Sequence, residues 1–260
     1  MELNGRIVKS RDDLTEAEIA ALPDDHPWKL AGQFSYVGQS FSPEADDNVA
    51  ELERLEKEML EHARKVELET HYRSSASGVL ERYWDESLDT YKPQSDVEKQ
   101  NVKVLKRFVK MGKSSTVALC GSNGTGKTLL GCALIREMGG RYMTASRLVY
   151  EVDSTMSFKS KQTKIEFLDE LSKVPLLVID EIGRGARPEF QSELVNYLYN
   201  ERYSRMLPTC LISNMEKLEL ADYLGNAVVD RLNETCAFLE FNGQSYRPVR
   251  RKMAIDSAKE

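Results

Sequence analysis

Short apolar runs alternate with longer amphipathic stretches over the last two thirds of the chain. The apolar runs cover residues 116–120, 141–145, 175–179, 209–214 and 237–241, and helical patterns lie between them at about 129–138, 165–172 and 188–206. Short β-prone runs separated by helices are typical of buried parallel strands. The pattern predicts an α/β fold in which a parallel sheet is flanked by helices.

A different pattern precedes this part. Residues 47–73 form a strong helical pattern, with one apolar stripe at positions 52, 55, 59, 60, 63 and 66. The stripe either covers its own domain or docks a partner protein. Residues 74–78 are small and mostly polar, so we expect a linker there and two domains, 1–78 and 79–260, the first mostly helical. A second amphipathic helix at 97–111 is expected to pack on the second domain.

The first 45 residues show little periodicity. A short helix is predicted at 14–22, where Thr15 and Glu18 have the spacing of a capping box. Four aromatic residues then follow within a short segment, and they either pack on the next helix or contact a partner. These aromatic residues are Trp28, Phe34, Tyr36 and Phe41.

A phosphate-binding loop joins the first strand of the predicted sheet to the next helix. Gly121 and Gly126 bracket four residues, and Lys127 and Thr128 follow, which is the G-x-x-x-x-G-K-[ST] spacing. Glycine permits the tight turn that points backbone N–H groups at one anion. We expect ATP to bind there through residues 121–129, with Thr128 as a ligand of Mg²⁺. In full, the loop residues are Gly121, Ser122, Asn123, Gly124, Thr125, Gly126, Lys127, Thr128 and Leu129.

Two carboxylates follow the apolar run at 176–179. Ligands of open α/β sheets bind at the carboxyl ends of the strands, so Asp180 is expected to help hold Mg²⁺ and Glu181 to polarise the attacking water. Asn214 ends the next apolar strand and is expected beside these acids. A turn after a core strand is the ordinary alternative for each of these residues.

Composition restricts the class of protein. No apolar run approaches 18 residues and the opening residues are polar, which predicts no membrane span, no secretory signal and a cytoplasmic location. The four cysteines form no C-x-x-C pair, so we expect free thiols. Residues 1–80 hold 17 acidic and 9 basic side chains, whereas the remainder holds 25 and 27, so only the remainder suits a polyanionic partner.

Several motifs occur together in order: the loop at 121–128, the acids at 180–181, Asn214, Val229-Asp230-Arg231-Leu232 and Ser245-Tyr246-Arg247. Over residues 80–260 the chain closely resembles the DnaC-type replicative helicase loaders, AAA+ ATPases grouped with the IstB-type transposition helpers. The resemblance implies that Lys127 binds nucleotide, that Asn214 and Arg247 are sensors, and that Arg231 reaches the γ-phosphate of a neighbouring subunit. Arg231 alternatively pairs with a nearby acid (Asp222, Asp230 or Glu234), and Arg202 and Arg205 are competing candidates for the role in trans.

The resemblance also implies partners. Such loaders escort a hexameric replicative helicase onto single-stranded DNA, and the chain is expected to self-associate through its ATP site and to bind the helicase through its N-terminal domain. The basic runs 157–164 and 250–252 are candidate DNA contacts or solvated loops. An IstB-like transposition helper acting on duplex DNA is the alternative, and a small-molecule kinase is a third possibility.

Overall fold

The computed structural model describes residues 2–3, 6–7, 15, 17–18, 21, 43–112, 115–157 and 162–248. The four N-terminal aromatic residues, half of the basic run at 157–164 (residues 158–161) and the run at 250–252 lie outside the described residues. Contacts group residues 1–58 and 59–260 into two units. Residues 59–78 thus fold with the second unit, and a functional division at residue 78 stays a prediction.

Within the first unit, β1 (Glu2–Leu3) and β2 (Arg6–Ile7) pair in antiparallel orientation. The capping box is present, because Thr15 N donates to Glu18 Oε2 at 2.8 Å and Glu18 N donates to Thr15 Oγ1 at 3.4 Å. Helix α1 (Pro43–Tyr72) begins four residues before the predicted start. Proline is favoured in the first helical turn, because the N–H group that it lacks would have no hydrogen-bond partner within the helix there.

The second unit holds the predicted parallel sheet. Its strands are β3 (Thr116–Cys120), β4 (Arg141–Thr144), β5 (Leu177–Ile182), β6 (Thr209–Ser213) and β7 (Cys236–Glu240). They lie in the order β4-β5-β6-β3-β7, and every neighbouring pair is parallel. The predicted α/β class is therefore confirmed.

Helices cover both faces of this sheet. One face packs on α2 (Asp96–Met111) and α3 (Lys127–Met138), and residues 72–91 join the same apolar cluster. The predicted packing of the 97–111 helix is confirmed. The other face packs on α4 (Ala145–Thr155), α5 (Lys164–Lys173), α6 (Pro188–Ser204), α7 (Lys217–Leu224) and α8 (Asn226–Thr235). Helices α4, α7 and α8 were not predicted, although in α4 Leu148, Val149 and Val152 form a buried face.

The last turns of helix α1 pack on the second unit's own residues. Tyr72 is fully buried, and Glu69 accepts hydrogen bonds from Arg136 of α3 through both carboxylate oxygens. The predicted apolar stripe is instead exposed, with exposed fractions of 43–73% at Leu52, Leu55, Met59, Leu60 and Val66. No described helix of the chain has the length and apolar content needed to cross a bilayer.

Candidate nucleotide site

The phosphate-binding loop lies between the end of β3 and the start of α3. Gly121, Gly124 and Gly126 have φ values of 108°, 82° and 92°, which side chains other than glycine rarely adopt. A Cβ atom at Gly126 would lie 2.7 Å from the ring of Tyr91. The loop thus requires glycine both for its backbone conformation and for the close packing behind it.

Lys127 joins this loop to the end of β6. Its buried ammonium donates to Gly121 O at 2.8 Å, to Ser122 O at 2.7 Å and to Asn214 Oδ1 at 3.1 Å. Burial lowers the pKa of Lys127 to about 8, and the charge of Asp180 acts in the opposite direction. Asn214 was expected beside the acids at 180 and 181. It lines the same cleft as both acids, and its amide oxygen contacts Lys127 of the loop.

The carboxylate of Asp180 accepts hydrogen bonds from several donors. Thr128 Oγ1 donates to Asp180 Oδ2 at 2.7 Å, and the backbone N–H of Glu181 donates to Oδ1 at 2.6 Å. The hydroxyl of Tyr142 donates to Oδ2 at 3.0 Å. Burial and the neighbouring Asp180 charge raise the pKa of Tyr142, so its hydroxyl stays protonated.

Thr128 and Asp180 are suited to Mg²⁺. Both offer hard oxygen atoms, and Mg²⁺ proteins commonly supply one or two such ligands while substrate phosphates and waters complete the octahedron. Within the described ranges, no group of three His, Cys, Asp or Glu side chains offers an all-protein metal site. The donor set therefore fits a cation bound together with a phosphate ligand.

Glu181 has an unusual backbone. Its φ is 56°, in the left-handed region that non-glycine residues seldom occupy, and such a conformation costs about 1–3 kcal/mol. The residue lies at the edge of the cleft beside Asp180. Backbone strain of this kind is often found in functional sites.

A cleft of about 310 Å³ opens in front of these groups. Its wall brings together the loop, the two acids, Asn214 and Arg247, as the sequence predicted. Other cleft residues were not predicted, and they come from the segment before α2, the loop after β5 and the C-terminal segment. These are Arg82, Tyr83, Glu86, Thr90, Tyr91, Lys92, Arg184 and Tyr246.

Three of the missed residues touch the loop directly. Tyr91 donates its hydroxyl proton toward Thr125 O at 3.0 Å, and Tyr246 N donates to Gly124 O at 2.9 Å. Arg184 Nη2 donates to Asn123 Oδ1 at 2.9 Å. Tyr246 lies within the Ser-Tyr-Arg motif, so its neighbour Arg247 could have indicated it. Tyr91 has no local sequence signal.

The arginines separate into three environments. Arg231 lies on α8, away from the cleft wall, where it donates to Asn200 and lies over the Tyr203 ring at 5.4 Å. Within the described part of the chain, Arg231 has no ion pair with the acids proposed as its alternative partners.

Arg202 is fully buried and donates to surrounding carbonyl groups, so it is not accessible to a neighbouring subunit. Arg205 pairs with Asp169 and Glu201 at the surface.

Comparison with known proteins identifies the family. The model of the IstB-like ATP binding protein family matches residues 41–254, which is most of the chain. The chain belongs to this family. Curated relatives include the replicative helicase loader DnaC of Buchnera aphidicola (subspecies Acyrthosiphon pisum), 29% identical over 184 residues, which are 66% of this chain and 73% of that protein. The replicative helicase loader DnaC of Escherichia coli K12 is 29% identical over 180 residues with the same coverage.

Solved structures agree on the fold. The crystal structure of the DnaC helicase loader superposes with a TM-score of 0.56 at 24% identity, covering 63% of this chain and all of that one. The crystal structure of DnaI superposes with a TM-score of 0.53 at 24% identity, covering 64% and 93%. The predicted resemblance to DnaC-type loaders and the predicted AAA+ fold are therefore confirmed.

Proposed function

We propose that this chain is an ATP-dependent loader that places a hexameric replicative helicase on single-stranded DNA. The observation that carries the proposal is the similarity to curated relatives named replicative helicase loader, across 73% of their length. The same relatives do not favour the transposition-helper alternative, although the family description includes the IstB name.

The cleft residues have separate roles in the proposed hydrolysis of ATP. The loop N–H groups and Lys127 bind the phosphates. Thr128 and Asp180 would hold Mg²⁺, which would neutralise phosphate charge. Glu181 orients and polarises the attacking water. Asn214, fixed by its bond to Lys127, contacts the water or the γ-phosphate, and Arg247 contacts the same nucleotide from the C-terminal segment.

Arg231 acts on the neighbouring subunit in this proposal. Its position on α8 outside the cleft wall agrees with a role in trans, and its contacts with Asn200 and Tyr203 hold the guanidinium at a defined place. A positive charge supplied by a second subunit stabilises the charge that develops in the transition state. Hydrolysis then depends on self-association through the ATP site.

A subunit-mixing experiment tests this arrangement. Lys127→Ala and Arg231→Ala subunits are each expected to be inactive alone, because each interface draws Lys127 from one subunit and Arg231 from the next. An equal random mixture restores both groups at about a quarter of the interfaces, so partial ATPase activity should return. Arg205→Ala is the matched control and should stay active. A mixture as inactive as its components would contradict the role of Arg231 in trans.

The exposed stripe of α1 is the proposed helicase contact. A contiguous patch of exposed apolar side chains, such as this stripe, is rare on a monomeric protein and commonly marks a binding surface. A helix with such a face can lie in an apolar groove of the partner. Leu55→Ser is expected to weaken binding to the helicase about tenfold or more, whereas Lys57→Ser, an exposed change on the same helix, should have little effect.

The loading activity itself is measured by the transfer of a purified hexameric helicase onto circular single-stranded DNA. We expect transfer with the wild-type chain and ATP, and none with Lys127→Ala. Failure of the wild-type chain to bind any replicative helicase would refute the proposal. Retention on duplex DNA with a transposase would support the helper alternative, and phosphate transfer to a nucleoside acceptor would support the kinase alternative.

A further inference from the structure

Tyr142 is a buried residue that the chemistry above does not use. It lies on the edge strand β4, where Tyr142 pairs in register with Val178 and Thr144 pairs with Asp180. Residues two apart in a strand point to the same face of the sheet, so Tyr142 lies on the same face as Thr144. It is two residues further from the carboxyl ends of the strands, where the cleft lies. The long phenol side chain spans this distance and brings its hydroxyl to the carboxylate of Asp180.

The hydroxyl completes a chain of hydrogen bonds through Asp180. Tyr142 and Thr128 both donate to Asp180 Oδ2, at 3.0 Å and 2.7 Å, while the N–H of Glu181 donates to Oδ1. Tyr142, the donor, and Asp180, the acceptor, are 6% and 3% exposed, so water does not readily replace the hydrogen bond between them. The carboxylate is thus held in one orientation from both of its oxygen atoms.

This orientation has a consequence for Thr128. A threonine hydroxyl has a single proton, and here that proton is directed at Asp180. The remaining lone pairs of Thr128 Oγ1 are therefore free to face a cation. If Asp180 rotates, the hydroxyl loses the acceptor that fixes its proton, and its lone pairs are no longer oriented in advance.

We propose that Tyr142 is a positioning residue for Mg²⁺: through Asp180 Oδ2 it holds the Thr128 hydroxyl in the orientation that binds the cation of the nucleotide. The inference rests on the proposed binding of ATP and Mg²⁺ in this cleft. Residues that orient the ligands of a metal commonly change metal affinity by 10–100-fold when they are replaced. The phenol ring and the hydroxyl have separable roles, because the ring packs in the apolar cluster beneath the cleft and only the hydroxyl touches Asp180.

The test compares Tyr142→Phe with Tyr199→Phe in the full-length chain. Phenylalanine keeps the ring and removes only the hydroxyl. Tyr199 is an equally buried tyrosine whose hydroxyl contacts Thr235 and which does not line the cleft, so it controls for loss of a buried hydroxyl. Binding of a fluorescent ATP analogue is titrated with Mg²⁺ and is also measured in excess EDTA.

For Tyr142→Phe we expect the Mg²⁺ concentration at half-saturation to rise about tenfold, with unchanged nucleotide affinity in EDTA. Tyr199→Phe should match the wild type in both measurements. In the Asp180→Asn variant, adding Tyr142→Phe should change the Mg²⁺ requirement little further, because the carboxylate through which Tyr142 acts is already absent.

Four results would overturn the inference. An unchanged Mg²⁺ requirement for Tyr142→Phe means that the hydroxyl does not position the site. Equal loss of nucleotide binding with Mg²⁺ and in EDTA means that the hydroxyl supports the fold of the cleft instead. If the wild-type chain binds ATP equally well with and without Mg²⁺, the role of Tyr142 in positioning the metal is refuted but the proposed function is not. If the wild-type chain binds no ATP, both are refuted.

Discussion

Arg202 donates hydrogen bonds that connect the sheet to α5, and its replacement by methionine tests how much these bonds stabilise the fold. The side chain is fully buried in α6, and burial lowers the pKa of Arg202 to about 9, so it remains charged at neutral pH. Its guanidinium donates to the end of α5, to the entry of β5 and to the start of β6. The acceptors are Leu171 O, Ser172 O, Val174 O, Pro175 O, Pro208 O and Thr209 Oγ1.

Methionine retains the aliphatic packing of Arg202 but leaves these acceptors without a donor. A hydrogen bond to a charged group contributes about 1.5–3 kcal/mol, but the longer bonds, at 3.2–3.3 Å, contribute less. Removing a buried charge also recovers part of its desolvation cost. We therefore expect Arg202→Met to lower the free energy of unfolding by about 3–5 kcal/mol, which corresponds to about 6–20 °C in Tm for a unit of this size.

The assay is urea and thermal unfolding of the full-length protein, followed by circular dichroism. Arg205→Met is the matched control: Arg205 lies in the same part of the chain but is 38% exposed, with ion pairs of 3.4 Å to Asp169 and Glu201. Exposed pairs are screened by solvent and contribute less than about 1 kcal/mol. If Arg202→Met unfolds within about 1 kcal/mol of the wild type, the reasoning about its carbonyl acceptors is wrong.

Three further predictions concern the cleft. Because the pKa of Lys127 is about 8 in the free site and bound phosphate favours the charged form, nucleotide affinity should fall about tenfold between pH 7 and pH 9, as measured by fluorescence titration at constant ionic strength. Glu181→Gln should retain ATP binding while lowering turnover at least about 100-fold, measured by phosphate release. Gly126→Ala should weaken nucleotide binding about tenfold or more in the same fluorescence titration, because its Cβ atom meets Tyr91 and its φ is 92°.

Each of these predictions has its own control. Lys127→Arg should remove the pH dependence, and an unchanged slope would assign it to another group. Turnover of Glu181→Gln at the wild-type rate would show that a different residue positions the water. Gly112→Ala has a similarly left-handed φ of 65° but open space around the new Cβ atom, so it should leave nucleotide affinity unchanged. Equal effects at Gly112 and Gly126 would assign the loss to backbone strain alone.

The local chemistry of the site could be predicted from the sequence. A phosphate-binding loop depends on glycines and a lysine at fixed spacing, and it is flanked by its own strand and helix. Asp180, Glu181 and Asn214 each end an apolar strand. Because parallel strands place their carboxyl ends at one edge of a sheet, their convergence follows once the sheet is predicted.

Other features depended on contacts between distant segments. The exposure of the α1 stripe, the burial of Arg202 and the role of Tyr91 behind the loop have no local signature, because an amphipathic pattern does not say what covers a face. Nothing in the local sequence around Tyr142 distinguishes it from an ordinary strand residue. Only the pairing of β4 with β5 brings its hydroxyl to Asp180, 38 residues along the chain. Spacing along the chain therefore determined which groups bind phosphate, whereas the tertiary structure decided which distant side chains hold those groups in place.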